Sequence, residues 1–146
     1  MRKEGWRSLV VSVLVLSALS GCAAIHPSGA GEGPTGATLT GIVTSRVRMV
    51  LPRDALMRVE LVDISRQNAP PRTISLREIW PDGRQLPIPF EIPYGPAAID
   101  PGRTYALQVK ISRGRRILYE NTAAHIVITN GVRSNIEVVV EPVPGP

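Results

Sequence analysis

The sequence predicts an all-β protein, a single immunoglobulin-like, Greek-key β-sandwich of about seven to eight strands that follows a signal peptide and a flexible linker. From residue 39 onward, short runs rich in β-branched residues alternate with turn-forming glycine, proline, asparagine and aspartate. Beyond the first 21 residues, no stretch shows the 3.6-residue apolar repeat of an amphipathic helix. We therefore expect a signal peptide at 1–21, a linker segment at 22–38 and the sandwich at 39–146.

The first 21 residues have the parts of a secretion signal. A basic start containing Arg2, Lys3 and Arg7 precedes an apolar run from Leu9 to Leu19, which is 11 residues long. That length is within the range of signal-peptide cores. A bilayer-spanning helix needs about 20 residues, so this run is too short to cross a membrane.

The predicted signal ends in four residues that resemble the lipobox of bacterial lipoproteins, namely Leu19, Ser20, Gly21 and Cys22. In such proteins the cysteine thiol receives a diacylglyceryl group, the signal is cut before it and the new amino group is acylated. Cys22 is the chain's single cysteine, so it can form no internal disulfide. We expect covalent diacylglycerol and N-acyl lipid on Cys22, and no other cofactor. The alternative is an ordinary secretion signal with an unrelated cysteine.

Residues 23–37 are dominated by glycine, proline and small side chains, which is typical of a flexible linker. A coil of this length spans about 20 Å, enough to hold a domain just clear of lipid headgroups. Two acyl chains anchor a protein stably. Ala23 stands where enteric lipoproteins retained in the inner membrane carry aspartate. We expect an outer-membrane anchor with the domain facing the periplasm.

The predicted strands are separated by turn signals. Asn130-Gly131 has the sequence of a type I′ turn and predicts a hairpin between the last two strands. The predicted strands are Leu39–Leu51, Leu56–Ile64, Thr73–Trp80, Leu86–Ile92, Thr104–Ser112, Ile117–Tyr119, Ala124–Ile128 and Asn135–Glu141.

The strand at 86–92 has the pattern of a sheet edge. Ile88, Phe90 and Ile92 alternate along the strand, so their side chains share one face. The prolines at 87, 89 and 93 occupy the positions between and beside them. Because proline has no N–H group, these positions offer no hydrogen-bond donors along one edge of the strand. A proline-rich docking motif is the alternative. A partner that adds a strand is then expected at another edge, for which Leu39–Val50 is a candidate.

Residues 99–107 have the spacing of a tyrosine corner, in which the phenol of Tyr105 bonds a backbone group a few residues upstream. This interpretation makes Tyr105 structural. It favours a two-sheet sandwich over an up-and-down barrel.

Five stretches of the sequence carry a resemblance to a known family. They are TGIVT from 40, LPRDA from 51, VELVDIS from 59, IPFEIPY from 88 and IDPGRTY from 99. These stretches resemble YbaY-type lipoproteins, the family described as YscW-like type III secretion system lipoprotein chaperones. The resemblance covers about residues 39–141 and implies the fold. It also implies a pilotin role, since YscW-like members bind a secretin subunit and help it reach or assemble in the outer membrane. It implies no binding residues, because the shared residues form strands and turns, and a shared fold does not imply a shared partner.

The sequence offers no catalytic constellation, so we expect no enzyme. A nucleophile needs a base and an orienting group. Of the two histidines, His26 lies in the linker and His125 in an apolar strand, and no partners for a metal ion are evident. Residues 22–146 carry 14 basic and 11 acidic side chains, scattered along the chain, so nucleic-acid binding is not expected.

Arg113, Arg115 and Arg116 are the sharpest charged feature and fall at a predicted hairpin tip. Arginine binds phosphate bidentately, so the cluster could contact anionic lipid or an acidic partner. A solvated turn is the plainer interpretation.

Together these features predict a membrane-anchored envelope lipoprotein whose non-catalytic sandwich binds another protein. The expected role is that of a pilotin or chaperone-like factor for outer-membrane assembly, with a secretin as a candidate partner. The alternatives are a glycan-binding or glycan-processing module of the cell envelope, and a passive structural lipoprotein. No particular oligomeric state is predicted.

Overall fold

The computed structural model describes residues 36–48 and 50–144. The predicted signal peptide, the lipobox at Leu19–Cys22 and most of the predicted linker lie outside the described residues. Lipid attachment at Cys22 therefore stays a prediction.

The described part of the chain forms nine strands, and a short 3₁₀ helix at Pro96–Ala98 joins the fourth strand to the fifth. In chain order the strands are β1 (Ala37–Thr44), β2 (Leu56–Asp63), β3 (Arg72–Ile79), β4 (Ile88–Tyr94), β5 (Tyr105–Arg113), β6 (Arg116–Glu120), β7 (His125–Val127), β8 (Ile136–Val139) and β9 (Glu141–Pro142).

These strands form two sheets, which confirms the predicted sandwich. The first has the order β4-β1-β8, with β1 antiparallel to β4 and parallel to β8. The second has the order β3-β2-β5-β6-β9, and β7 pairs with the first residues of β5 beside β6. The order departs from chain order in both sheets, so strands distant in sequence lie side by side.

The core lies between the sheets and is built by alternation along each strand. In β5 the side chains of Tyr105, Leu107, Val109 and Ile111 are buried, whereas Lys110 is exposed. This is the period-2 pattern of a half-buried strand. The predicted alternation of β5 is therefore confirmed.

The strand β4 is the edge strand that its prolines predicted. Ile88, Phe90 and Ile92 are buried against the core, and the prolines at 89 and 93 are exposed. The Ser75 hydroxyl of β3 donates to the Pro93 carbonyl (2.6 Å), so a side chain of the other sheet contacts this edge. The prediction that Leu39–Val50 is a free edge is wrong, because β1 lies between β4 and β8.

Two predicted strand boundaries and one predicted hairpin also change, each because the chain passes between sheets. The predicted strand Leu39–Leu51 ends at Thr44, because the next strand belongs to the other sheet. The predicted strand Asn135–Glu141 is divided into β8 and β9, which lie in different sheets. The hairpin at Asn130-Gly131 is wrong, because β7 and β8 also belong to different sheets. A turn remains there, in which the Gly131 N–H donates to the Ile128 carbonyl (2.9 Å).

Close packing of β1 against β8 depends on Gly41. A Cβ atom at this position would overlap the backbone carbonyl of Ile136. Glycine therefore allows the two parallel strands to approach each other in the first sheet.

The sandwich has two ends that matter for function. The N-terminal end is where β1 begins at Ala37, opposite Tyr94 of β4. The other end, here called the arginine end, consists of residues 45–48 and 50–55, residues 80–87 and residues 113–116. Since β1 has eight residues, the two ends are about 26 Å apart.

Candidate functional site

A groove of about 530 Å³ opens at the arginine end. One wall is the last residue of β1 and the segment after it, at residues 44–48 and 50, and the other wall is residues 85–87, just before β4. Tyr119 of β6 lines the groove between these walls. The groove is here called the Tyr119 groove.

Hydrogen bonds of Gln85 hold the groove in shape. Gln85 Oε1 accepts the Leu51 N–H (2.7 Å) and so joins the two sides of the groove, whereas Gln85 Nε2 donates to the Gly83 carbonyl (2.9 Å) within its own loop. Leu51 itself is buried in the core. The segment of residues 45–48 and 50 is therefore tied to the body of the sandwich by β1 on one side and by Leu51 on the other.

The walls of the groove present apolar side chains to solvent. Val47 is 49% exposed and Val50 is 82% exposed, the largest exposure among the big apolar side chains that the structure describes. Pro87 is exposed beside a half-buried Leu86. Exposed apolar side chains that line one concave surface are typical of a binding site.

Tyr119 adds a polar group that the fold does not use. Its side chain is 1% exposed, and its hydroxyl has no hydrogen-bond partner among the residues that the structure describes. Burial raises the pKa of this hydroxyl above its usual value of 10, so it remains a neutral donor at physiological pH. A buried polar group without a partner costs about 1–3 kcal/mol, and such groups are rare in native proteins.

Arginines gather around the groove. Within the ranges that define the arginine end, seven exposed arginines face only two aspartates, Asp54 and Asp82. Outside those ranges, the described residues carry seven basic and eight acidic side chains. The basic residues are therefore not scattered in space, although they are scattered along the chain. The seven arginines are Arg46, Arg48, Arg53, Arg84, Arg113, Arg115 and Arg116.

The predicted arginine cluster lies where the sequence placed it, at the hairpin tip between β5 and β6. Arg113 and Arg116 are partners across the hairpin, and Arg115 follows Gly114, whose φ is +56°. Arg113 Nε donates to Asp54 Oδ2 (2.8 Å), and this hydrogen bond lowers the pKa of Asp54. The structure thus brings the cluster to the same end of the sandwich as the Tyr119 groove.

Tyr105 has the structural role that its spacing predicted. Its hydroxyl accepts the Asp100 N–H at 2.8 Å, five residues upstream, which confirms the tyrosine corner. This corner lies at the N-terminal end, far from the Tyr119 groove.

His125 lies on β7, half-buried, on the face that it shares with the buried Val127. It lines a separate cleft of about 320 Å³ together with Asn121 and Glu137. Within residues 36–48 and 50–144, no group of three or more histidine, cysteine, aspartate or glutamate side chains is placed to hold a metal ion. No helix in those same ranges is long and apolar enough to span a bilayer.

The sequence alone did not single out the groove. Val47 lies between Arg46 and Arg48, and Val50 lies between Met49 and Leu51, so this segment resembles the continuation of a strand. Tyr119 follows two other apolar residues and resembles ordinary core. Its unpartnered hydroxyl results from packing between distant segments, so no local pattern signals it.

Comparisons with known proteins agree on one family. Residues 34–140 match the family described as type III secretion system lipoprotein chaperone (YscW). The chain is 27% identical over 93 residues to the uncharacterized lipoprotein YbaY of Escherichia coli K12, which covers 64% of this chain and 49% of the relative. The chain thus spans about half the length of that curated relative.

The fold also matches a solved structure, an alternative pilotin from the type II secretion system of Vibrio cholerae. The TM-score is 0.71 with 25% identity, and the match covers 75% of this chain and 99% of that one. A chaperone family and a pilotin fold fit a non-enzymatic role in the cell envelope. The motifs in the sequence predicted the same family, and the chain belongs to the YscW family of type III secretion system lipoprotein chaperones.

Proposed function

We propose that this chain is a secretin pilotin, a lipoprotein anchored in the outer membrane whose sandwich binds a secretin subunit and assists its assembly there. The observation that carries the proposal is the combined match to a lipoprotein chaperone family and to a pilotin structure. Both matches cover most of this chain. A purely structural lipoprotein gives no reason for this likeness.

The anchor is tested by mass spectrometry of the native protein and by membrane fractionation. We expect Cys22 to carry the diacylglyceryl and N-acyl groups, and the Cys22→Ser protein to leave the outer-membrane fraction. A matched Ser20→Ala protein keeps a small residue beside the cleavage site and should stay lipidated. An unmodified thiol in the native protein would contradict the proposal.

The pilotin role is tested in cells that lack this lipoprotein. We expect the organism's secretin to lose most of its assembled outer-membrane multimer, and the native gene to restore it. The Cys22→Ser gene should not restore it, because the partner would no longer be carried to the membrane. Normal secretin assembly without the lipoprotein would overturn the proposed function.

A further inference from the structure

We infer that the Tyr119 groove is the partner-binding site, and that it binds an apolar peptide segment carrying carboxylates. The inference rests on the proposed function and adds to it the place of binding and the chemistry of the bound segment.

The first argument is the apolar wall of the groove. Val47 and Val50 are exposed although both are aliphatic, and they lie beside Leu86 and Pro87. Covering this surface would remove apolar area from water, which is the main favourable term in association. A volume of about 530 Å³ is within the range of sites that enclose ligands.

The second argument is the hydroxyl of Tyr119. It is a buried donor that has no acceptor in the described protein. The hydroxyl is covered in the free protein, so a carboxylate or backbone carbonyl of a bound peptide would supply that acceptor when binding opens the surface of the groove over Tyr119. A hydrogen bond to an ionised acceptor is about twice as strong as one between neutral groups, so a carboxylate suits this donor best.

The third argument is charge. Arg46 and Arg48 belong to the groove wall, and neither forms an ion pair with any residue in the described ranges. Four of the five other arginines at this end are equally without an ion pair there, since only Arg113 is engaged by Asp54. A segment with acidic residues is electrostatically complementary to this end and would be steered toward it.

A lipid phosphate could pair with the arginines and accept from the Tyr119 hydroxyl, but a headgroup leaves Val47 and Val50 uncovered. A peptide accounts for the arginines, the valines and the hydroxyl together.

The test is photo-crosslinking in intact cells that express the full-length lipoprotein and the organism's epitope-tagged secretin. A photoreactive amino acid replaces Val47 in one strain and Leu76 in a control strain. Leu76 is also exposed and apolar, at 46%, but lies on β3 outside the groove. We expect the secretin to be captured from position 47 and not from position 76.

Charge reversal shows whether the arginines take part. The double variant Arg46→Glu/Arg48→Glu should lower the yield of the position-47 crosslink by at least about fivefold, because attraction becomes repulsion. The matched control is Arg66→Glu/Arg133→Glu, which reverses two exposed arginines away from the groove and should leave the yield unchanged. Thermal unfolding of both variants checks that each is folded.

The outcomes separate the inference from the proposed function. If the secretin is captured from position 76 alone, or with equal yield after charge reversal of the groove, the inference is overturned and the pilotin role stands. Capture of lipid instead of secretin from position 47 also overturns the inference. If no position captures the secretin and its assembly is normal without the lipoprotein, the proposed function fails and the inference fails with it.

Discussion

The two ends of the sandwich each contain an aspartate–arginine pair and a buried tyrosine, but in opposite environments. At the N-terminal end, Asp63 pairs with Arg103 (2.7 Å), and the Asp63 side chain is only 5% exposed. At the arginine end, Asp54 pairs with Arg113 (2.8 Å), and both side chains are 60% exposed. The distances are nearly equal, so solvent decides how much each pair contributes.

The two buried tyrosines also differ, in whether their hydroxyl groups have a hydrogen-bond partner. The Tyr105 hydroxyl at the N-terminal end accepts a backbone N–H, whereas the Tyr119 hydroxyl in the groove has no partner in the described part of the chain. One end therefore satisfies its buried polar groups and stabilises the fold. The other leaves a buried donor without a partner among the described residues and exposes apolar side chains and arginines, as expected of a binding surface.

The largest change in the free energy of unfolding is expected at Asp63. Replacing it with alanine removes hydrogen bonds from Arg103 and from the Ser65 N–H (2.9 Å) in a buried position. We expect Asp63→Ala to lower the free energy of unfolding by about 2 kcal/mol, as for hydrogen bonds to a charged group. Urea denaturation measures this loss, and an unchanged midpoint would contradict the stabilising role of the N-terminal end.

The Asp63 carboxylate should make the stability of the fold depend on pH. Hydrogen bonds from Ser65, and then from Arg103, hold the pKa of Asp63 well below 3.8. Because the folded pKa is lower than the unfolded one, the ionised group stabilises the fold above about pH 4 and this contribution declines as the pH falls further. The Tm of the native protein should therefore drop more steeply between about pH 5 and pH 2 than the Tm of Asp63→Ala.

The next largest effect is expected at Tyr105. Tyr105→Phe leaves the Asp100 N–H without its acceptor, and we expect a loss of about 1 kcal/mol in the free energy of unfolding. Denaturation of this variant beside the native protein measures it. Equal stability would show that the corner does not depend on this hydrogen bond.

Tyr119→Phe is expected to change the stability of the fold only slightly, and in the direction opposite to the losses expected for Asp63→Ala and Tyr105→Phe. The substitution removes a buried hydroxyl that has no partner among the described residues, so the Tm should stay the same or rise slightly. A clear fall in Tm would show that the fold satisfies this hydroxyl and would remove the contrast between the two tyrosines.

The smallest effect is expected at Asp54. Asp54→Asn weakens a pair in which both side chains are mostly in water, where ion pairs contribute little. The Tm should not change measurably. A loss similar to that of Asp63→Ala would mean that both ends stabilise the fold alike.

What the sequence predicted correctly depends on local patterns. The alternation of β5, the prolines of β4 and the corner at Tyr105 each act within a few residues, so their consequences follow from spacing. The wrong predictions concern which sheet a strand joins. Whether β1 is central, and whether Asn130-Gly131 links paired strands, depends on partners far away in the chain.

Only part of the candidate site was predicted, because only part of it depends on local sequence patterns. The hairpin tip at Arg113–Arg116 followed from local turn signals. Its position at the same end as Arg46 and Arg48, and the Tyr119 hydroxyl without a partner among the described residues, arise only when distant segments meet at one end. The site therefore depends on the topology of the whole sandwich and not on any local sequence pattern.

The different roles of the two ends are tested most directly by a binding measurement. The affinity of full-length, detergent-solubilised lipoprotein for the secretin is compared between the Tyr119→Phe and Tyr105→Phe variants. At a temperature where both variants are folded, Tyr119→Phe should weaken binding several-fold with an unchanged or higher Tm. Tyr105→Phe should bind like the native protein despite a lower Tm. Native affinity in Tyr119→Phe, or equal weakening in both variants, would contradict the account.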